Sequence, residues 1–402
     1  MDHKKISTWL DQAVFFSLCG MIFFLPGSKS LVEVFIGLAF LAWFFKRVIM
    51  YCHSRPVCHS RGSGNLYPLN IPIIGFIAVS LLSVIASASF ALSIEGFFFK
   101  VLKSILLYFV IIETINSKKR IKWILFAMFS SAIIVSIDGL FQFYTGTDFL
   151  RQFPLWSGNA VMACFSNPNN FAAWLIVIIP LVVCLALKRK ILWIFAGLLM
   201  ACLILTYSRG AWISFTISLF VMAALRNRKL LIVMLIAFLV LPFIVPGSVK
   251  ERALSIVTTL DTGRLGLWKE ALNIIKDHPF LGAGLNTYSI VSPEYSTNEI
   301  TKGFYPHNSY LHMAAESGIA ALVMFLWIIS SVFKNALARF KNISSDFYKA
   351  LLTGLLTGLF AFLLHSFVDT HLYSLQLGVL MWFIMGLITA VYKTDLREQN
   401  AG

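Results

Sequence analysis

Apolar residues run through this chain in blocks of roughly 20, the length a helix needs to cross a bilayer, separated by short polar or Gly/Pro-containing breaks. The blocks predict an all-α, polytopic membrane protein with twelve spans, near 12–26, 31–50, 71–90, 97–115, 121–141, 169–187, 191–207, 211–226, 230–246, 315–333, 348–366 and 375–392. Basic residues gather in alternate breaks: Lys46-Arg47 with Arg55 and Arg61, Lys118-Lys119-Arg120, Lys188-Arg189-Lys190, Arg226-Asn227-Arg228-Lys229, and Lys334 to Lys341. Such clusters stay on the cytoplasmic side. Both termini are therefore expected there, and 91–96, 142–168, 208–210, 247–314 and 367–374 are expected on the opposite face. The chain reads as one membrane domain, 1–402, with 247–314 inserted as an outer loop region between the ninth and tenth spans.

The polar stretch from Asp261 to Glu316 is the long interruption in this pattern. Leu267, Trp268, Ala271, Leu272 and Ile275 recur at helical spacing and predict an amphipathic helix over 264–276. Pro279, Gly282 and Gly284 stop it and open an irregular loop. Asn308 or Ser309 then caps the next helix. His307 is thus expected at a helix N-terminus where a loop meets the membrane.

Composition agrees with the pattern. Apolar residues make up 58% of the chain and charged residues 13%, and mean hydropathy is +0.81, far from a soluble domain's balance. The 33 Lys+Arg against 18 Asp+Glu sit between spans, which speaks for membrane orientation rather than nucleic acid. The first apolar run, Ala13 to Leu25, leads into Pro26-Gly27 and another span with no small-residue cleavage site, so a cleaved signal peptide is not expected. Cys52-His53-Ser54-Arg55 and Cys58-His59-Ser60-Arg61 form a direct repeat. Its spacing is not that of a zinc site, and a duplicated cytoplasmic loop is the simpler reading. Of the six cysteines, Cys164 alone is expected in an outer loop, so no outer disulfide is expected.

His307 leads the candidates for chemistry, because His accepts a proton near neutral pH. Glu316 follows nine residues later and would orient it only if the helix began irregularly. Arg209, in Tyr207-Ser208-Arg209-Gly210, and Arg264, one turn before Trp268, would bring two guanidinium groups to the same face. Arg pairs bidentately with phosphate, and at this level a phosphate belongs to a lipid. Each has a plainer reading, as a snorkelling or solvated side chain. Lys100 and Lys103 lie a turn apart in a span, where charges are paired or functional; Asp138 is a plausible partner and a lipid phosphate the competing one. Asp369 and His371 stand at the outer end of the last hairpin. No Asp-x-Asp pair, HExxH or Walker loop appears, which speaks against a metal-bound nucleotide-sugar donor and against an ATPase.

The runs Gly263-Arg264, Trp268-Lys269-Glu270-Ala271, His278-Pro279-Phe280-Leu281-Gly282-Ala283-Gly284, Pro306-His307-Asn308-Ser309-Tyr310-Leu311 and Glu316-Ser317-Gly318, with Ser208-Arg209-Gly210 upstream, resemble the signature of the bacterial O-antigen ligase family. That superfamily also holds O-antigen polymerases and protein O-oligosaccharyltransferases. The resemblance implies an inner-membrane glycosyltransferase with a periplasmic active site, needing neither metal nor cofactor. It would move a glycan from undecaprenyl pyrophosphate to a sugar hydroxyl of lipid A–core, with inversion. Carried over, His307 would be the general base, and Arg209 and Arg264 would bind the pyrophosphate and neutralise the leaving group. Trp268, Asn308, Lys100, Lys103, Glu316 and Asp369 would complete the substrate-binding set. The repeat at 52–61 and a compact outer loop depart from the family pattern, away from the expected site. A lipid-linked glycan transporter is the rival from another class; transporters place their sites at the midplane, often between inverted repeats, whereas these residues gather on one face.

Overall fold

The expected blocks become helices wherever the chain can be described. The computed structural model describes residues 3–53, 69–157, 159–226, 262–296 and 302–401, with Ile232, Gly247 and Glu251 as isolated positions. The expected span at 230–246 and most of the Cys-His-Ser-Arg repeat lie outside these residues. The other eleven expected segments all fall on helices. Helices α1 (His3–Phe24), α2 (Lys29–His53) and α3 (Asn70–Ile85) come first. A helical run over 90–114 follows, comprising α4 (Phe90–Gly96), a π-helical turn (Phe97–Leu102) and α5 (Lys103–Thr114). Residues 91–96, expected as an outer loop, are thus helical. Then come α6 (Lys118–Thr145), α7 (Pro168–Ala186), α8 (Leu192–Leu205), α9 (Arg209–Arg226), α10 (Thr262–Asp277), α11 (Ser309–Phe340), α12 (Asp346–His365) and α13 (Leu375–Ala401). Among the described residues, six stretches are long and apolar enough to cross a membrane: Lys5–Phe24, Lys118–Thr145, Pro168–Ala186, Ser309–Phe340, Asp346–His365 and Leu375–Asn400. No named strand occurs among the described residues.

Helix α7 lies at the centre. Asn167 caps it by accepting from the Asn170 amide at 2.8 Å, and Pro168 occupies the first turn, where its missing N–H costs nothing. Its side chains are buried almost all round, against α8, α9 and α12. The approach to α12 is close because α12 offers glycines. A Cβ on Gly354 would stand 2.5 Å from the Leu181 Cα, and one on Gly358 would stand 2.3 Å from the Val177 carbonyl oxygen. Small residues of this kind let membrane helices pack backbone to backbone. At one end of the bundle, Lys46, Arg47 and Arg120 pair with Asp11 and Glu113, drawing two of the basic clusters into one network. Asp138, expected beside the lysines, instead accepts the Phe149 and Leu150 amides, and with Gln142 it folds the loop that follows α6.

Helix α11 is broken. Gly318 has φ 81° and ψ 167°, so the helix stops after Ser317 and restarts. The break strands carbonyls that need donors, and the segment after α10 supplies them. Ala283 N–H donates to the Ala315 carbonyl and Gly284 N–H to that of Glu316, both at 2.9 Å, while Ile319 N–H donates back to Pro279. The two backbones touch. A Cβ on Gly282 would stand 2.3 Å from the Glu316 carbonyl, and one on Gly318 would stand 2.0 Å from the Phe280 oxygen. The His278–Gly284 and Glu316–Gly318 motifs are therefore two halves of one joint.

Both glycines also have φ near +70° to +81°, where a side chain adds strain of about 1–3 kcal/mol beyond the clash. Gly282→Ala and Gly318→Ala should each lower stability by more than about 2 kcal/mol in detergent thermal unfolding. Gly266→Ala, in α10 with nothing within 4 Å, should be neutral or stabilising by up to about 1 kcal/mol. A Gly318→Ala protein as stable as the Gly266→Ala control contradicts the joint.

Candidate functional site

The joint fixes the first turns of α11, and these fix His307. Asn308 caps the helix, its side-chain oxygen accepting from the Tyr310 and Leu311 amides at 3.0 Å each. Ser309 ties this start to the loop between α12 and α13. Its amide donates to the carbonyls of Ser366 and Asp369, and its hydroxyl donates to Asp369 O at 2.9 Å. His307 itself sits at φ 46°, a left-handed conformation uncommon for a side-chain-bearing residue.

Its partner is Asp369. His307 Nδ1 and Asp369 Oδ1 are 3.0 Å apart. The same carboxylate accepts the Thr370 amide at 2.8 Å, and its other oxygen accepts from Asn169 Nδ2 at 2.7 Å. Asn169 Oδ1 in turn accepts from the Ser208 hydroxyl at 2.8 Å, which fixes the amide's orientation. Burial alone would raise the pKa of Asp369. The hydrogen bond from His307 and the nearby His371 overcome it and hold the carboxyl well below its usual range. An ionised Asp369 can only accept, so the proton of a neutral His307 resides on Nδ1 and the lone pair on Nε2. Nε2 has no partner among the described residues. The His307 side chain is 40% exposed while that of Asp369 is 12% exposed. The arrangement is a base open on one side and oriented from the other.

Two more histidines lie beneath. His371 Nε2 and His365 Nδ1 are 3.0 Å apart, both rings fully buried. Burial pushes the His371 pKa down to about 4; Asp369 opposes this, while His307 and Arg264 add to it. His371 is therefore neutral. The influence of Arg264 on His371 brings the start of α10 to this group. The Arg209 tip is brought there too, since a Cβ on Gly210 would stand 3.0 Å from the His365 ring. The charge of Arg264 and the backbone at Arg209–Gly210 thus lie near the histidines behind the His307–Asp369 pair.

Other expected members lie elsewhere. Glu316 does not orient His307: it faces His312, four residues before it, at 3.2 Å, and accepts the Tyr288 amide at 3.0 Å, all buried. The helix starts regularly at Asn308, so residue 316 lies two turns inside it. His312 is stacked on Tyr373 at 3.5 Å between ring centroids and on Tyr305 at 5.0 Å. Burial and then Glu316 push the Tyr373 and Tyr305 phenols above their usual pKa. Trp268 is half-buried on α10, with its indole N–H buried and without a partner among the described residues. Lys103 pairs with Glu33 and Lys100 donates to Asn286, not to Asp138. Asn169, His312 and His365 were not anticipated; of these, only Asn169 had a local sign, in the Asn167-Pro168-Asn169-Asn170 helix start.

Comparison with known proteins bears on this geometry. Residues 194–326 match a family model described as O-antigen ligase, a stretch that holds Arg209, Arg264, His307 and Asn308 but not Asn169 or Asp369. The chain is 24% identical over 267 residues to the ComP-specific O-oligosaccharyltransferase of Acinetobacter baylyi, which covers 59% of this chain and 47% of that protein. It therefore spans about half the length of that relative. Its motifs and these matches make the chain similar to the O-antigen ligase superfamily of membrane glycan-transferring proteins.

Proposed function

We propose that this chain transfers a glycan from undecaprenyl pyrophosphate to a sugar hydroxyl of lipid A–core, on the periplasmic face of the inner membrane. The observation that carries the reading is the His307–Asp369 pair, with the charge of Arg264 acting on the histidines behind it and the Arg209–Gly210 backbone beside them. The reading includes the expected twelve-span topology with cytoplasmic termini, in which these residues face the periplasm.

His307 Nε2 takes the proton of the acceptor hydroxyl as its oxygen bonds to the anomeric carbon. The bond from that carbon to the pyrophosphate oxygen breaks on the opposite side, inverting the centre. Asp369 keeps the His307 ring in the useful tautomer and stabilises the imidazolium that forms, as the carboxylate does in hydrolase triads. Arg209 and Arg264 meet the charge growing on the leaving pyrophosphate; fixed guanidinium groups suit this because they need no reorganisation. A protein acceptor is the second reading, supported by the relative's description as an O-oligosaccharyltransferase.

His307→Ala should lower transfer by about 10²–10⁴-fold while the protein inserts normally and lipid-linked donor accumulates. Asp369→Asn should reduce turnover comparably with donor affinity little changed. A folded His307→Ala protein that transfers glycan at the wild-type rate would sink the assignment.

Arg209→Lys and Arg264→Lys should each weaken turnover, because an ammonium keeps the charge but loses the planar two-donor fork. Wild-type rates from both would reduce these residues to interface anchors.

A further inference from the structure

Lys100 and Lys103 stand one turn apart on the helical run 90–114, where its middle widens into the π-helical turn Phe97–Leu102. Such turns are rare and recur at functional sites. Lys103 is matched, pairing with Glu33 of α2. Lys100 is not. It donates to Asn286 Oδ1 at 2.6 Å and lies 5.3 Å over the Tyr373 ring; no carboxylate among the described residues stands at ion-pair distance, and the buried Glu316 feels its charge from farther off. A cation on an apolar helix whose nearest acid stands beyond ion-pair reach leaves a place for a closer anion.

Beside it is room for such a group. A cavity of about 240 Å³ lies between the two lysines and the start of α13. Lys100, Lys103, Ser104 and Ser374 supply its polar side, and Phe99 and Val379 are among its apolar residues. Neither serine hydroxyl has a partner among the described residues, and the one acid on the wall, Glu33, is taken by Lys103. Donors therefore outnumber acceptors, as an oxyanion with several acceptor oxygens requires. The apolar side fixes the source. Phe98 and Phe99 are more than half exposed on the adjoining helix surface, so hydrocarbon rather than water continues from the cavity.

We propose that this cavity binds the phosphate of a membrane lipid, with Lys100 as its main charge partner and the lipid chains lying along Phe98 and Phe99. The wall residues Leu372 to Leu375 belong to the segment that carries Asp369 and His371, so occupancy braces the loop that orients His307. In the transferase reading, on which this role rests, it is a second phosphorylated-lipid site beside the one formed by Arg209 and Arg264. Binding is measured without turnover, so either reading can fail alone.

The test uses the full chain in detergent micelles, with binding of dioleoyl phosphatidic acid followed by native mass spectrometry. Dioleoylglycerol, the same lipid without phosphate, and inorganic phosphate are the comparison arms. Wild type should bind one phosphatidic acid in preference to dioleoylglycerol, and millimolar inorganic phosphate should not displace it. Lys100→Gln should weaken binding by about tenfold or more, the worth of a charge-assisted hydrogen bond. Gly378→Leu, which fills the cavity and leaves both lysines, should do the same, and Lys100→Arg should stay within about threefold of wild type. Thermal unfolding of each variant reports folding, and Gly378→Leu decides the matter if Lys100→Gln does not fold. Unchanged binding in a folded Lys100→Gln or Gly378→Leu protein overturns the site. Equal binding of dioleoylglycerol overturns the phosphate, and displacement by inorganic phosphate with the same lysine dependence overturns the lipid.

Discussion

A helix that breaks inside an apolar bundle must find donors for the carbonyls it strands, since no water is there to serve them. In this chain that requirement governs the arrangement of the site. The break at Gly318 is answered by the amides of Ala283 and Gly284, which pins the loop after α10 against α11. One consequence is that α10, with Arg264, is held beside the bundle rather than left on a tether. Another is that the short first half of α11 has a fixed start, so Asn308 and His307 have fixed places. The glycines of both motifs are explained by contact: Gly282 and Gly318 stand where another backbone occupies the space of a side chain, and Gly284 stands where Ser87 does.

On that frame the electrostatics are ordered by burial. Asp369 is buried yet ionised, because His307, Asn169 and a backbone amide all donate to it. The two deeper histidines share one contact and burial keeps His371 neutral, so Asp369 supplies a single negative charge behind the His307 ring. Arg264 acts on the same group from α10. An imidazole oriented by a carboxylate and set near guanidinium groups is what an acid–base step with an anionic leaving group needs. The second buried group, His312 and Glu316 among three tyrosines, connects the segments that bear His307 and Asp369 through the stacking of His312 on Tyr305 and Tyr373.

Local features of this arrangement were legible in the sequence; distant ones were not. The amphipathic period of 264–276, the Asn308 cap and the helix stop at Pro279 are written within a few residues of where they act, and the structure has all three. His307 was visible by its chemistry and its place at a helix start. Asp369 is among the expected substrate-binding residues, but its pairing with His307 was not legible, because the two are 62 residues apart and Asn169 lies 200 residues from Asp369; only the packing of the helices makes them neighbours. The expected role of Glu316 failed for a related reason. A clean cap makes the helix regular, and the i,i+4 spacing then gives Glu316 to His312. Lys103 likewise found Glu33, 70 residues earlier, in place of the nearer Asp138. The break at Gly318 was hidden because a glycine at the edge of an apolar run reads as part of the span.

The central claim is that a glycan leaves one lipid and joins a hydroxyl on another molecule at this site. Reconstitution tests it most directly: the full chain in proteoliposomes, a glycan on undecaprenyl pyrophosphate, lipid A–core as acceptor, and mass spectrometry of every lipid product. The account predicts glycosylated lipid A–core and one free undecaprenyl pyrophosphate for each glycan transferred. Donor that crosses the bilayer with its glycan still attached, and acceptor left unmodified, would contradict it and make the chain a carrier of lipid-linked glycans.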